Sequence, residues 1–174
     1  MDFKQDYFEI FQIPRGFDVD LDLLSVRFRE LQKSVHPDKY VNASETEKRL
    51  SMQWTVQINT AYDTLKVSLT RAVYLLELSD VTLATNPVLA PAFLMEQIEL
   101  REELEEIGEA DDALSKLDDI KLRVKKVMSD LESSFASSYN SGQFKVAEQE
   151  VYKLQFLSKL LIAADHLEEK LLDY

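Results

Sequence analysis

The sequence predicts an all-α protein made of two helical domains. Three observations carry this. Gly and Pro are scarce, 3 and 4 in 174 residues, too few for the many turns of an all-β chain. Leu, Glu, Lys, Gln and Ala are frequent, and all favour helix. Long stretches carry apolar residues at three- and four-residue steps, the mark of one buried helix face. Apolar residues make up 45% of the chain, enough for a core in each domain.

The elements follow in order. In "DYFEIFQIPRGF", Tyr7, Phe8, Ile10 and Phe11 form a short helix that stops before Pro14. "DVDLDLLSVRFRELQKSV" opens with acids, as a helix N-terminus prefers. There Leu24, Phe28, Leu31 and Val35 make one apolar stripe. Pro37 disfavours helical geometry at His36, so this helix ends there. Ser44 followed by Glu47 has the spacing of a capping box. The helix it opens places Leu50, Trp54, Ile58, Ala61 and Leu65 on one face. The two long helices then pack as an antiparallel hairpin beside the short first one.

"LTRAVYLLELSD" reads as a further helix, and "VTLATNPVLAP" holds two of the four prolines. The expected organisation is therefore a first domain over 1–75, a linker region over 76–90 and a second domain over 91–174. The second domain reads as three helices. The first spans about 91–107, ends near Gly108 and carries Phe93, Leu100, Leu104 and Ile107 inward. The second spans about 110–138, with Leu114, Leu117, Val124, Met128, Leu131 and Phe135 on its stripe. The third spans about 143–172, with Leu154, Leu157, Leu161 and Ala164 inward. Asn140 and Gly142 supply the turn between the last two. Short loops make this an antiparallel three-helix bundle.

Charge and cysteine usage narrow the function classes. Net charge is −12, with −2 over residues 1–70 and −10 over 71–174. That balance opposes general nucleic-acid binding, which needs a basic footprint. With no cysteine, the chain offers no disulfide, thiol nucleophile or thiolate metal ligand. No apolar run approaches the roughly 20 residues of a membrane span. The start, "MDFKQDYFEIF", has the layout of neither a signal nor a transit peptide, so a cytoplasmic location is expected.

The stretch "KSVHPDKY" holds one of only two histidines. A catalytic His36–Asp38 pair would need a nucleophile, and no nucleophile motif is present. A metal site would need more ligands, and His166 sits in no ligand pattern. Two readings stay open. Pro37 and a histidine in the last turn suit a plain helix end. Yet Val26, Arg29, Lys33 and His36 also share the outward helix face, with Arg27 on its flank. Residues 26–35 carry three cations and one anion in an acidic protein, which suits docking to an acidic partner.

"DYFEIFQIP", the basic helix leading to "HPDKY" and "INTAYDTL" together resemble a J-domain, the module that stimulates DnaK-class chaperone ATPases. "AFLMEQIELREELEEI" and "LQFLSKLLIAADHLEEKLLDY" resemble the HscB family, bacterial type, J-domain co-chaperones of iron–sulfur cluster assembly. The resemblance spans essentially the whole chain. It implies an L-shaped molecule whose first domain binds the chaperone HscA through Arg27, Arg29, Lys33, His36, Pro37, Asp38 and Lys39. The second domain would bind and deliver the cluster scaffold IscU. The protein itself would be a monomer that performs no chemistry and holds no metal or cofactor. A general J-protein serving unfolded clients is the alternative function. A small hydrolase using His36 and Asp38 is a third reading, and any turnover by the purified chain alone would support it.

The first helix of the second domain carries more apolar residues than one core stripe needs. Leu94 and Ile98 lie about 100–140° from Phe93, and Met95 about 200°. In the last helix Phe156 points away from the stripe of Leu154. Periodicity alone leaves packing against neighbours and partner binding both open. The family resemblance maps scaffold binding onto Leu94, Met95, Ile98, Glu99, Glu102 and Phe156. Leu94, Ile98 and Phe156 are then expected as an exposed apolar centre with a charged rim.

Overall fold

The computed structural model describes residues 4–107 and 112–172. Among them every regular element is helical: α1 (Tyr7–Phe11), α2 (Leu21–Val35), a 3₁₀ turn (Pro37–Tyr40), α3 (Glu45–Lys66), α4 (Ser68–Glu77), α5 (Pro91–Ile107), α6 (Ala113–Asn140) and α7 (Phe144–Leu172). The chain divides into two compact units, Met1–Leu75 and Leu76–Tyr174.

The first unit is built on capped helices. Asp6 and Glu9 exchange side-chain-to-backbone hydrogen bonds at 2.9 Å each, closing a capping box on α1. Asp20 accepts from the Leu23 amide at 2.9 Å and caps α2. Ser44 and Glu47 close the predicted box on α3. The Ser44 bonds hold the Glu47 carboxyl below its ordinary value. Each cap satisfies amides that the first helical turn leaves without partners.

Helices α2 and α3 run antiparallel, as their bridges show. Phe28 stacks on Tyr62 with ring centres 4.0 Å apart, Ser25 Oγ meets Tyr62 Oη at 3.1 Å, and Gln32 Nε2 donates to Asn59 Oδ1 at 3.0 Å. The partners on α3 move back from Tyr62 to Asn59 as those on α2 advance from Ser25 to Gln32. Leu24, Trp54, Ile58, Ala61 and Leu65 are buried, with Phe8 and Phe11 of α1 beside them. The start of α4 closes this unit. Buried Arg71 donates to the carbonyls of Phe17 (2.6 Å) and Leu65 (2.5 Å), and Tyr74 stacks on Tyr7 at 4.3 Å.

One expectation here needs correction. Leu50 is 45% exposed, and Ser51 occupies the buried position instead. Leu50 lies at the edge of the arc defined by Trp54, Ile58, Ala61 and Leu65. Ser51 lies toward α2, where its hydroxyl finds a backbone carbonyl.

In the second unit α6 and α7 form a long antiparallel hairpin, joined by residues 141–143. The helix α6 runs two residues past its predicted end, through Asn140. Gly142 has φ +70°, a backbone state that glycine adopts without a Cβ clash. Lys121 pairs with Asp165 and Glu168, and Ser134 donates to Glu150, which is the pairing order of an antiparallel register. The core joins Leu104 and Ile107 of α5 to Leu117, Ile120 and Val124 of α6 and Leu157, Leu160 and Ala164 of α7. Leu114, expected inward, is 42% exposed; Ala113 takes the buried place at the start of α6. Phe93 and Leu100 are half-buried rather than core. The predicted stop at Gly108 lies outside the described residues.

The chain before α5 is held to this unit. The Ala84 amide donates to Tyr152 Oη at 2.6 Å, and Leu89 is buried. Burial raises the Tyr152 phenol above its ordinary value, and its bond to Glu148 adds to this.

Lys121 supports a stability prediction. Its bonds to Asp165 (2.6 Å) and Glu168 (2.7 Å) raise its ammonium above the ordinary 10.5. A raised lysine contributes stability fully below its unfolded value and loses it as pH climbs through the folded value. Lys121→Met is expected to lower stability by roughly 1–2 kcal/mol at neutral pH. The gap between wild type and variant should shrink as pH rises from about 10.5, where the unfolded chain releases the proton, through the raised folded value, above which the lysine is neutral in both states. Urea unfolding of both proteins at neutral and alkaline pH checks this.

Candidate functional site

Two exposed surfaces hold the predicted site residues, one in each unit. The first is the end of α2. Arg29, Gln32, Lys33, His36, Asp38 and Lys39 line one open groove there. The helix stops because Pro37 has no amide hydrogen and forces His36 out of helical geometry, to φ −56° and ψ 130°. Lys39 then donates to the His36 carbonyl at 3.0 Å, which starts the 3₁₀ turn. Pro37 and Asp38 stand exposed within that turn.

His36 and Asp38 are both open to solvent and only loosely joined. His36 Nδ1 lies 3.3 Å from the Asp38 amide and 3.5 Å from Asp38 Oδ2. One nitrogen cannot accept from the first and donate to the second at once, so the two contacts are alternatives. The Asp38 side chain is 86% exposed and that of His36 58%. A carboxylate that orients a catalytic imidazole is buried against it, and this one is not. Arg29, Lys33, His36 and Lys39 are all exposed. Arg27 departs from the group: it is half-buried, outside the groove, and pairs with Glu30 at 3.3 Å.

The second surface is the outer face of α5. Leu94, Met95 and Ile98 are 38%, 63% and 56% exposed, and Glu99 and Glu102 are exposed beside them. Phe156 differs from the expectation. It is half-buried and meets Phe93 edge-on with ring centres 6.2 Å apart. The aromatic edge fills the gap between α5 and α7 and leaves part of the ring at the surface. Lys159 Nζ lies 6.0 Å from its centre. The apolar centre is therefore Leu94, Met95 and Ile98, with Phe156 at its border.

Sequence reasoning missed two features. Ser51 ties α3 to the end of α2, and its one signal was a hydroxyl at an inward helix position. An open cleft also runs between α5, α6 and α7, with a floor that includes Leu100, Val124 and Leu157. It arises where the half-buried side of α5 fails to close on α6, which periodicity cannot show. Arg123 and Glu103 bridge its rim at 2.5 Å. Among the described residues no three His, Asp or Glu side chains converge as a metal site would need, and no helix is long and apolar enough to cross a membrane.

The fold and sequence have close relatives. A family model described as the HSCB C-terminal oligomerisation domain matches residues 89–165. The chaperone HscB of Vibrio cholerae is 36% identical, the match covering 96% of this chain and 99% of that one, with a TM-score of 0.89. The chain belongs to the HscB family. Human co-chaperone HscB is 29% identical, the match covering 100% of this chain and 86% of that one, again with a TM-score of 0.89. The Saccharomyces cerevisiae co-chaperone Jac1 is 22% identical over 97% of this chain and 95% of that one. Its TM-score of 0.72 extends the HscB fold to a distant sequence. Family and fold are those of a J-type co-chaperone of iron–sulfur cluster assembly.

Proposed function

We propose that this protein couples a DnaK-class chaperone, HscA, to the cluster scaffold IscU. The first unit engages the chaperone through Arg29, Lys33, His36, Pro37, Asp38 and Lys39, with Arg27 on the flank. The second captures the scaffold through Leu94, Met95, Ile98, Glu99, Glu102 and the border of Phe156. The protein performs no chemistry of its own and works in the cytoplasm. One observation carries the reading: each unit presents one of the two residue sets at its surface, with His36, Asp38, Leu94, Met95 and Ile98 exposed and only Arg27 and Phe156 half-buried.

Stimulation of the chaperone is then a coupling effect. The first unit favours the chaperone state that hydrolyses ATP, and bound scaffold biases the same equilibrium. Carrying both surfaces on one chain raises the effective concentration of scaffold at the chaperone. The cations at the end of α2 steer the encounter with an acidic chaperone surface. Raising ionic strength from about 0.05 M to about 0.5 M shortens the Debye length and is expected to slow association with the chaperone severalfold. Stopped-flow association rates across that range check this.

The alternative is a general J-protein for unfolded clients. Pull-down separates the two. The proposed function predicts retention of purified scaffold and no enrichment of denatured polypeptide. Equal retention of denatured polypeptide would favour the general J-protein instead.

A further inference from the structure

We propose that Ser51 is a positioning residue for the His36–Pro37–Asp38 turn, fixing it from the opposite helix. The turn needs an outside support because Pro37 ends α2 abruptly. The Val35 carbonyl would ordinarily accept from the amide four residues on, which belongs to Lys39. That amide is already given to the His36 carbonyl at 3.0 Å. The Val35 side chain is buried, at 5% exposure, so its carbonyl sits where water has little access.

Ser51 supplies the missing donor. It lies on α3 at 4% exposure, and its hydroxyl reaches the Val35 carbonyl at 2.6 Å. The bond joins α3 to the peptide unit immediately before His36. It therefore sets the direction in which the chain leaves α2. The neighbouring Ser34 carbonyl has a looser support, with Tyr40 Oη at 3.5 Å. Apart from half-buried Gln32, which bonds Asn59, the groove residues are exposed. Their arrangement depends on the rigidity of the residues beneath them, and rigidity sets how much ordering binding must cost.

The inference rests on the co-chaperone reading for its functional half, and the test keeps the two apart. Four proteins are compared: wild type, Ser51→Ala, Ser51→Thr and Thr55→Ala. Thr55 is a control, because its hydroxyl donates to the Ser51 carbonyl at 2.9 Å within α3 and does not bridge to α2. Two readouts are taken well below each melting temperature. Amide hydrogen exchange follows residues 36–40, and chaperone ATPase is titrated with each protein to give a half-maximal concentration and a maximal rate.

Ser51→Ala is expected to speed exchange at residues 38–40 and to raise the half-maximal concentration about threefold to tenfold. The maximal rate should stay near wild type, because docking restores the turn. Ser51→Thr, which keeps the hydroxyl, and Thr55→Ala should both match wild type. Unchanged exchange or an unchanged half-maximal concentration in Ser51→Ala overturns the proposal. So does a folded Ser51→Thr that behaves like the alanine variant, or a Thr55→Ala that does. If wild type itself gives no stimulation, the co-chaperone reading fails, while exchange still decides whether Ser51 holds the turn.

Discussion

His36→Gln is expected to bring chaperone ATPase stimulation close to the unstimulated rate, a loss of roughly thirtyfold or more in apparent affinity. Stability should change by less than about 0.5 kcal/mol, since the side chain is more than half exposed and outside the core. The reason for the large effect is position. His36 stands where α2 stops, with Arg29 and Lys33 on one side and Asp38 and Lys39 on the other, all around one groove. A contact at the centre of a small interface carries more of its energy than contacts at the rim. ATPase titration with a thermal melt as control checks this. Undiminished stimulation by a folded variant would contradict the docking role. Any reaction catalysed by the purified protein alone would instead revive a chemical role for His36 and Asp38.

The second large effect lies on α5. Replacing Leu94 and Ile98 together with alanine is expected to weaken scaffold binding by about 100-fold. Each side chain is part-exposed in the free protein and would become buried against the scaffold, worth roughly 1–2 kcal/mol apiece. The two are neighbours one helical turn apart, so the sum should fall somewhat short of additive. Calorimetric titration with purified scaffold reads the affinity, and a melt reads the fold. The melting temperature should barely move, because little of the core is removed. A large stability loss with unchanged affinity would mean that these residues serve packing.

The two surfaces were not equally legible in the sequence. Pro37 dictates a helix end at His36, and the stripe of Leu24 and Val35 dictates which way Arg29 and Lys33 face. Both consequences are local, and the structure carries both. The face of α5 is different. An apolar residue off the main stripe reads the same whether a neighbouring helix or a partner covers it. Only the placement of α6 and α7 shows that Leu94, Met95 and Ile98 are uncovered while Phe156 is half covered by Phe93.

The misses in the core have the same origin. Periodicity defines the centre of a buried arc well and its edges poorly. Trp54, Ile58, Ala61 and Leu65 are buried as expected, whereas Leu50 at the arc's edge is exposed. Leu114 fails likewise, at the first turn of α6, where Ala113 is the buried residue. Ser51 was overlooked because a small polar residue adds nothing to an apolar stripe. Its significance lies in a carbonyl 16 positions earlier in the chain, which no local pattern contains.

The central claim is that one chain joins two partners and that both act on a single chaperone equilibrium. The most direct measurement is the ATPase rate of the chaperone with this protein alone, with scaffold alone and with both. The account predicts stimulation by this protein alone and a combined rate well above the sum of the two separate increments. A combined rate equal to that sum, with both partners shown to bind, would contradict it.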